Sequence, residues 1–104
     1  MTRINNKKTE NLYKVILALK NINEAKKFFR DLLTEREIIE FSNRWQAAQM
    51  LDNKDSYQKI QRVTGLSTRT IARISKWLNR GEGGYKLMLS KLSHHNSSKI
   101  FKKG

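Results

Sequence analysis

The segment from Ser56 to Arg80 constrains the fold of this chain more than any other part of it. It contains six basic residues and no acidic residue, and it divides into two short helical patterns that meet at Gly65. Glycine reaches positive φ without the steric penalty of other residues, so Gly65 marks a sharp reversal of the chain. Ser56 and Ser67 each precede one pattern and can accept from an unpaired backbone N–H of its first turn. The segment therefore predicts a helix-turn-helix over residues 56–80.

The apolar residues of this segment have the spacing of two helices packed together. Ile60 and Val63 form an apolar edge on the first helix, and Leu66 anchors the turn. On the second helix, apolar residues recur at i, i+3 and i+7, at Ile71, Ile74 and Leu78. Trp77 lies beside this stripe, so we expect its ring to be part of the core. Helices this short are marginal alone, and the pattern therefore implies a larger helical domain.

The rest of the chain predicts an all-α fold of six helices. No proline interrupts it, and no two-residue alternation typical of a strand occurs. We expect Thr9 to open the first helix and Asn23 the second. Thr34 and Glu37 have the T-x-x-E spacing of a capping box, which predicts the start of the longest helix, ending near Leu51.

The helical periodicity covers residues 9–92, which fits one domain of ordinary size. Residues 1–8 are polar and basic, and we expect a flexible arm. The glycine-rich stretch 81–84 predicts a break, followed by a last short helix from Tyr85 to Leu92. Residues 93–104 are polar and basic, and we expect them to be a disordered tail.

The net charge of +13 and the isoelectric point near 10.4 favour a polyanionic partner. Each phosphate that Lys or Arg neutralises releases condensed counterions, so double-stranded DNA is the first expectation and an anionic membrane surface the second. No apolar run is long enough to span a membrane, and no signal peptide is recognisable. We expect a cytoplasmic, nucleoid-associated protein with no membrane partner. Its small core favours a homodimer, because short chains bury a smaller share of their surface.

In a helix-turn-helix, the second helix enters the major groove of duplex DNA. Arg69 is the strongest candidate for reading a base, because arginine can pair bidentately with guanine; a contact to phosphate alone is the alternative. The expected base contacts are Ser67, Thr68, Arg69, Thr70 and Ala72. The expected contacts to the DNA backbone are Gln58, Lys59, Gln61, Arg62, Arg73 and Lys76, and those on the first helix could instead form an ordinary solvated face.

Catalytic and metal-binding chemistry finds little support in the sequence. The chain has no cysteine, and His94 and His95 are adjacent rather than spaced for one metal ion. Glu35, Glu37 and Glu40 complement the start of a helix, which accounts for them without acid–base chemistry. We expect no catalytic residue, no metal and no cofactor, and a protein that is not an enzyme.

Two runs, LLTEREIIEFSNRWQAAQML and SYQKIQRVTGLSTRTIARISKWLNRGEGGY, resemble the bacterial Trp repressor superfamily, and most closely its YerC/YecD branch. The resemblance covers roughly residues 32–92. It is carried by the LT-x-x-E start, the S-x-R of residues 42–44, the G-x-S-T-x-T-I turn and the N-x-G-x-x-G-Y exit. It implies an intertwined homodimer in which the first, second, third and last helices of two chains interlock, while the helix-turn-helix units project.

The resemblance also implies a vestigial ligand pocket. Its polar half is present, at Thr34, Arg44, Thr70 and Arg73. Ile74 stands where the repressor pocket needs a glycine that leaves room for the indole of L-tryptophan, and Trp77 replaces a serine that helps to hold its amino group. Both replacements fill space, so we do not expect L-tryptophan to bind, and the resemblance leaves any other effector unknown.

The sequence thus predicts a sequence-specific transcriptional regulator, a repressor in the first instance, that binds DNA as a homodimer without L-tryptophan. Three alternatives stay open. The charge alone fits a non-specific nucleoid-binding or RNA-binding protein; a regulator gated by a different small ligand fits the altered pocket; and the helix-turn-helix could dock a protein.

Overall fold

The computed structural model describes the backbone of residues 3–103 and the side chains of residues 3–93. This part of the chain contains six helices and no strand, which confirms the all-α, six-helix prediction. The helices are α1 (Lys7–Leu17), α2 (Ile22–Leu32), α3 (Glu35–Asp52), α4 (Tyr57–Thr64), α5 (Thr68–Arg80) and α6 (Gly84–Lys103). The chain divides into two compact units, Met1–Ile38 and Ile39–Gly104.

The first two helices begin earlier than the sequence predicted, because asparagines cap them. The side chain of Asn6 accepts from the Thr9 backbone N–H at 3.1 Å, and the Asn6 N–H donates to the Thr9 hydroxyl at 3.1 Å. Thr9 is therefore the third residue of the helix and completes the capping box, and the arm expected over residues 1–8 already contains the start of α1. In α2 the cap is Asn21, which accepts from the Glu24 N–H at 2.9 Å, and not Asn23.

The helices of unit Met1–Ile38 leave much of their apolar surface open to solvent. Neither α1 nor α2 contains a buried residue, and Leu17 and Ile22 are 83% and 74% exposed. Phe28 and Phe29 meet edge to face, with ring centroids 5.6 Å apart. Amphipathic helices normally bury one face, so these two carry apolar surface that this unit alone does not cover.

The start of α3 follows the prediction. The Thr34 N–H donates to a Glu37 carboxylate oxygen at 2.9 Å, and the Glu37 N–H donates to the Thr34 hydroxyl at 3.1 Å. This reciprocal pair satisfies two backbone donors that a helix start leaves without an intrahelical partner.

The core of unit Ile39–Gly104 lies where the helix-turn-helix packs on the second half of α3. It consists of Ala47, Ala48, Met50, Ile60, Ile71 and Ile74, and Leu78 is also buried. The two alanines are completely buried, and their small side chains allow close packing at this position of α3. The predicted apolar stripe of α5 is therefore confirmed.

On α4 the prediction was wrong for one position. Val63 is 55% exposed, and Thr64 is buried in its place. Thr64 lies four residues after Ile60, on the same side of the helix. Its hydroxyl donates to the Ile60 carbonyl at 2.7 Å and accepts from the Leu66 N–H at 3.2 Å, so its burial leaves no polar atom unsatisfied.

The last helix is longer than expected. Helix α6 continues to Lys103, so the backbone of residues 93–103 is helical where the sequence predicted disorder. Neither proline nor glycine occurs between Gly84 and Gly104, so the polar residues of the tail lower helix propensity without breaking the helix. The side chains of His94 and His95 lie outside those that the structure describes.

Candidate DNA-binding site

Helices α4 and α5 form the predicted helix-turn-helix. Ser56 caps α4 by accepting from the Lys59 N–H at 3.1 Å, and Ser67 caps α5 by accepting from the Thr70 N–H at 3.1 Å. Between the helices, Gly65 has φ 73°, the left-handed conformation that glycine adopts most easily. Both caps and the turn are confirmed.

The first turn of α5 presents small polar side chains and one arginine. Ser67, Thr68, Arg69 and Ala72 are exposed, and Thr70 is half-buried. The Ser67 hydroxyl donates to the Thr70 hydroxyl at 3.1 Å in addition to its capping bond. The Ser67 hydroxyl therefore mainly stabilises the start of the helix. Arg69 is the longest side chain on this turn, and it pairs with no described carboxylate.

The residues predicted to contact the DNA backbone all lie at the surface, namely Gln58, Lys59, Gln61, Arg62, Arg73 and Lys76. Lys59 has an acidic partner, with its Nζ 3.3 Å from Oδ1 of Asp55. Asp55 keeps only 16% of its side chain exposed, so it neutralises part of the Lys59 charge. Among the described side chains, no carboxylate lies within ion-pairing distance of Arg62, Arg69 or Arg73.

Arg80 belongs to the same exposed basic face, and the sequence reasoning missed it. It follows Lys76 by four residues on α5, so the two cations lie on one side of the helix. Lys76, Asn79 and Arg80 border a shallow polar groove with Ala72 and Ser75. The i, i+4 spacing of two basic residues is the signal that could have identified Arg80.

The residues of the expected vestigial pocket have separate roles in the two units. Thr34 belongs to unit Met1–Ile38 and is part of the α3 capping box. Arg44 pairs with Glu40 at 3.2 Å, one turn earlier on α3. Ile74 is fully buried in the core, so its side chain occupies volume that a glycine would leave open.

Trp77 is not a core residue, contrary to the prediction. Trp77 is 46% exposed, because it lies at the edge of the buried stripe and not within it. It lines an open groove in unit Ile39–Gly104, together with Trp45, Lys76, Arg80, Gly81, Glu82, Gly84, Tyr85 and Met88. Trp45 and Tyr85 stack there, with ring centroids 6.3 Å apart and ring planes 17° apart. The groove is therefore lined by aromatic rings, by the cations Lys76 and Arg80 and by the carboxylate of Glu82.

The described side chains contain no cluster of three or more His, Cys, Asp or Glu residues that could hold a metal ion. Among the described residues, no helix is both long and apolar enough to cross a bilayer. In the part of unit Ile39–Gly104 whose side chains are described, the helix-turn-helix presents a basic, polar surface on a small apolar core.

Comparison with known proteins agrees with this geometry. The sequence pattern of the Trp repressor protein family matches residues 7–93. The uncharacterized protein YerC of Bacillus subtilis (strain 168) is 37% identical over 90 residues, which is 86% of each chain.

Two solved structures have the same fold. A TrpR-like protein from Eubacterium eligens ATCC 27750 has a TM-score of 0.84 and 37% identity, with 88% of this chain and 94% of that chain covered. A provisionally named Trp repressor from Staphylococcus aureus has a TM-score of 0.82 and 32% identity, with 89% and 96% covered. The helix-turn-helix, the matched residues and the shared fold lead to one assignment: the chain belongs to the Trp repressor family, in the branch that contains YerC.

Proposed function

We propose that the protein is a sequence-specific DNA-binding regulator of transcription, acting as a homodimeric repressor that occludes a promoter. The observation that carries the proposal is the exposed first turn of α5, where Arg69 stands beside Thr68 and Ala72 on a segment without any acidic residue. An α-helix fits the major groove, and an arginine there pairs bidentately with guanine. A regulator of this kind needs no cofactor and no catalytic group, and it works at the nucleoid in the cytoplasm.

The cations around the recognition helix support a contact to phosphates. Arg62, Arg73 and Lys76 are exposed, and no acidic side chain among the described residues pairs with them. They can therefore neutralise phosphates without first breaking an ion pair. Contacts of this type position a protein on the duplex, whereas the base contacts of α5 specify the sequence.

The homodimer is supported by the uncovered apolar surface of the first unit. Helices α1 and α2 bury no residue, and Leu17 and Ile22 are the most exposed of their large apolar side chains. A second copy of the chain would cover such surface and gain about 25 cal/mol for each Å² removed from water. Two-fold symmetry then places one recognition helix on each half of a near-palindromic site, about 34 Å apart.

Independence from L-tryptophan is supported by Ile74. Its side chain lies in the core with Ala47, Ala48 and Ile71, so a ligand ring could enter this volume only by displacing packed side chains. We expect calorimetric titration with L-tryptophan to give no binding heat at millimolar ligand. Micromolar binding would contradict this part of the proposal.

A selection of binding sites from random duplexes tests the proposed function. We expect enrichment of one motif with two related halves. An unenriched pool, retained at low salt, would contradict the proposal and favour the non-specific nucleoid-binding or RNA-binding protein. Loss of all DNA binding at low salt would indicate a helix-turn-helix that docks protein.

The aromatic groove favours one second candidate, a regulator gated by a small ligand other than tryptophan. Trp45 and Trp77 are the two tryptophans of the chain, and both line this groove. Any ligand bound there would change their fluorescence. A screen of planar aromatic anions that shifts neither the fluorescence nor the DNA affinity would remove this candidate.

A further inference from the structure

The exposed side chains in the first two turns of α5 are of two chemical kinds. Arg69 carries a cation, whereas the side chain of Ala72 is a methyl group and that of Thr68 includes one. Residues four apart lie on the same face of a helix, so Thr68 and Ala72 share a face and are about 6 Å apart along the axis. Beside Arg69, this face therefore carries two methyl groups.

Hydrogen bonds within the helix engage other small polar side chains of α5. The Ser67 hydroxyl accepts from the Thr70 N–H and donates to the Thr70 hydroxyl, both at 3.1 Å. The Asn79 amide donates to the Ser75 carbonyl at 2.8 Å. Ala72 has no polar atom in its side chain, so the contact that it can offer to a base is apolar.

The charged side chains of α5 lie apart from this face. All four cations of the helix are exposed, namely Arg69, Arg73, Lys76 and Arg80. Successive residues of an α-helix are about 100° apart, so these four positions fall within a sector of about 60°. Thr68 and Ala72 lie outside that sector, between it and the buried Ile71. Their face has no charge that would attract it to phosphates, and its short side chains allow close approach to base edges.

We propose that the methyl groups of Thr68 and Ala72 read the C5 methyl group of thymine in the major groove. Thymine alone presents a methyl group there, and the methyl groups of alanine and threonine pack against it. The axial distance of about 6 Å between the two residues corresponds to about two base-pair steps of about 3.4 Å. Each half-site then contains thymine within about two base pairs of the guanine that Arg69 reads. This inference rests on the proposed function and adds the base that the helix prefers.

Deoxyuridine tests the contact from the DNA side, because it pairs like thymine but lacks the C5 methyl group. The full wild-type chain is titrated with its selected duplex, in which the thymines are replaced one symmetric pair at a time. We expect about fourfold weaker binding for each methyl group lost from a contact, and therefore about 15-fold for a symmetric pair in the two half-sites. Replacement of thymines outside the half-sites is the control and should leave the affinity unchanged. Half-sites without thymine, or equal affinity after every replacement, would overturn the proposal.

Two substitutions test the contact from the protein side, since Thr68→Ser and Ala72→Gly each remove one methyl group. The measured quantity is the ratio of affinities for thymine and deoxyuridine duplexes within one variant, so a change in stability cancels. We expect each variant to bring this ratio close to one at a single thymine pair and to keep the preference for guanine. Ser75→Gly has a similar cost in helix propensity to Ala72→Gly and should keep every ratio.

Thr68→Ser decides the matter if Ala72→Gly does not fold, because serine and threonine have similar helix propensities. Wild-type ratios in both methyl variants, or an equal fall in Ser75→Gly, would overturn the proposal.

The outcomes separate this inference from the proposed function. If the chain selects a motif but does not distinguish thymine from deoxyuridine, the methyl contact is wrong and the regulator stands. If the chain selects no motif, the regulator is wrong, and random duplex pools made with thymine or with deoxyuridine are compared instead. A preference for the thymine pool that Thr68→Ser and Ala72→Gly both reduce would support the methyl contact, and equal binding of the two pools would overturn it.

Discussion

At the scale of single residues, Arg69 and Arg62 differ in what they can contact. We expect Arg69→Ala to weaken binding by about 1–3 kcal/mol at one base position of the selected site and to relax the preference there. Arg62→Ala should weaken selected and random duplexes equally and lower the salt slope of the homodimer by about 1.8, which is about 0.9 for each protomer. Titrations on both duplexes measure the difference, and equal losses for the two variants on both duplexes would refute the assignment.

Lys59 should contribute less to phosphate binding than Arg62, because it already has an acidic partner. Asp55 already neutralises part of its charge across 3.3 Å. We therefore expect Lys59→Ala to reduce the salt slope less than Arg62→Ala does. Asp55→Asn should raise affinity for random DNA, because it frees the Lys59 cation, and a lower affinity in this variant would argue against a Lys59 contact.

At the end of α5, Gly81 lies so close to the backbone of Trp77 that a side chain at this position would clash with it. A Cβ at this position would lie 2.4 Å from the Trp77 carbonyl oxygen, which also accepts the Gly81 N–H at 2.8 Å. We expect Gly81→Ala to lower the free energy of unfolding by about 1–3 kcal/mol. Gly84→Ala is the matched control, since nothing lies within 4 Å of its added Cβ, and it should be neutral or slightly stabilising in urea unfolding.

Lys54 is the one non-glycine residue with positive φ in the described backbone, at 66°. This conformation costs a residue with a Cβ about 1–2 kcal/mol. Lys54→Gly should therefore raise the free energy of unfolding by about 0.5–1 kcal/mol after the greater chain entropy of glycine is counted. Asn53→Gly, one residue earlier, should give no such gain. Equal changes in unfolding free energy for the two variants would contradict backbone strain at Lys54.

At the scale of helices, a comparison of the two serine caps distinguishes an effect on stability from an effect on DNA recognition. Ser56→Ala and Ser67→Ala each remove one capping bond and should each cost about 1 kcal/mol of unfolding free energy. Only Ser67 also donates to the Thr70 hydroxyl, at the turn that we propose contacts DNA. We expect the ratio of specific to random affinity to fall for Ser67→Ala alone, and similar ratios in both variants would contradict this role.

The helix starts show which local signals the sequence carries. The T-x-x-E spacing of Thr34 and Glu37 has one interpretation, and the structure agrees with it. Around Asn21 and Asn23 several polar residues could each cap a helix, and the sequence alone does not rank them. Polar composition predicts an end of α6 near Leu92, but the helix continues to Lys103, and neither proline nor glycine interrupts it.

The candidate site was predictable where it depends on local chemistry. Caps, the Gly65 turn and the exposed face of α5 follow from spacing within a few residues. The positions of Val63, Thr64 and Trp77 depend instead on which side of each helix meets α3, and one residue of rotation exchanges a core position for a surface one. The sequence did not single out Arg80 for a related reason. It is the last residue of α5, and it lies on the same side as Lys76 only because the helix continues that far.

At the scale of the whole molecule, the uncovered faces of α1 and α2 predict a dimer. We expect sedimentation velocity at micromolar concentration to give twice the 12.2 kDa mass of one chain. Leu17→Asp/Ile22→Asp should shift the protein towards monomer, because it places charge in the surface that a second copy would cover. A surface control, Lys20→Asp, should remain dimeric, and a monomeric wild type would contradict the dimer.

Sequence-specific reading of DNA by α5 is the central claim, and its most direct test is a ratio of two dissociation constants. The full chain is titrated with its selected duplex and with a scrambled duplex of equal length, both at 150 mM salt. We expect the selected site to bind about 10³-fold or more tightly, as specific regulators do, and we expect Arg69→Ala to reduce that ratio about fivefold or more. A ratio near one in the wild-type chain would contradict the account.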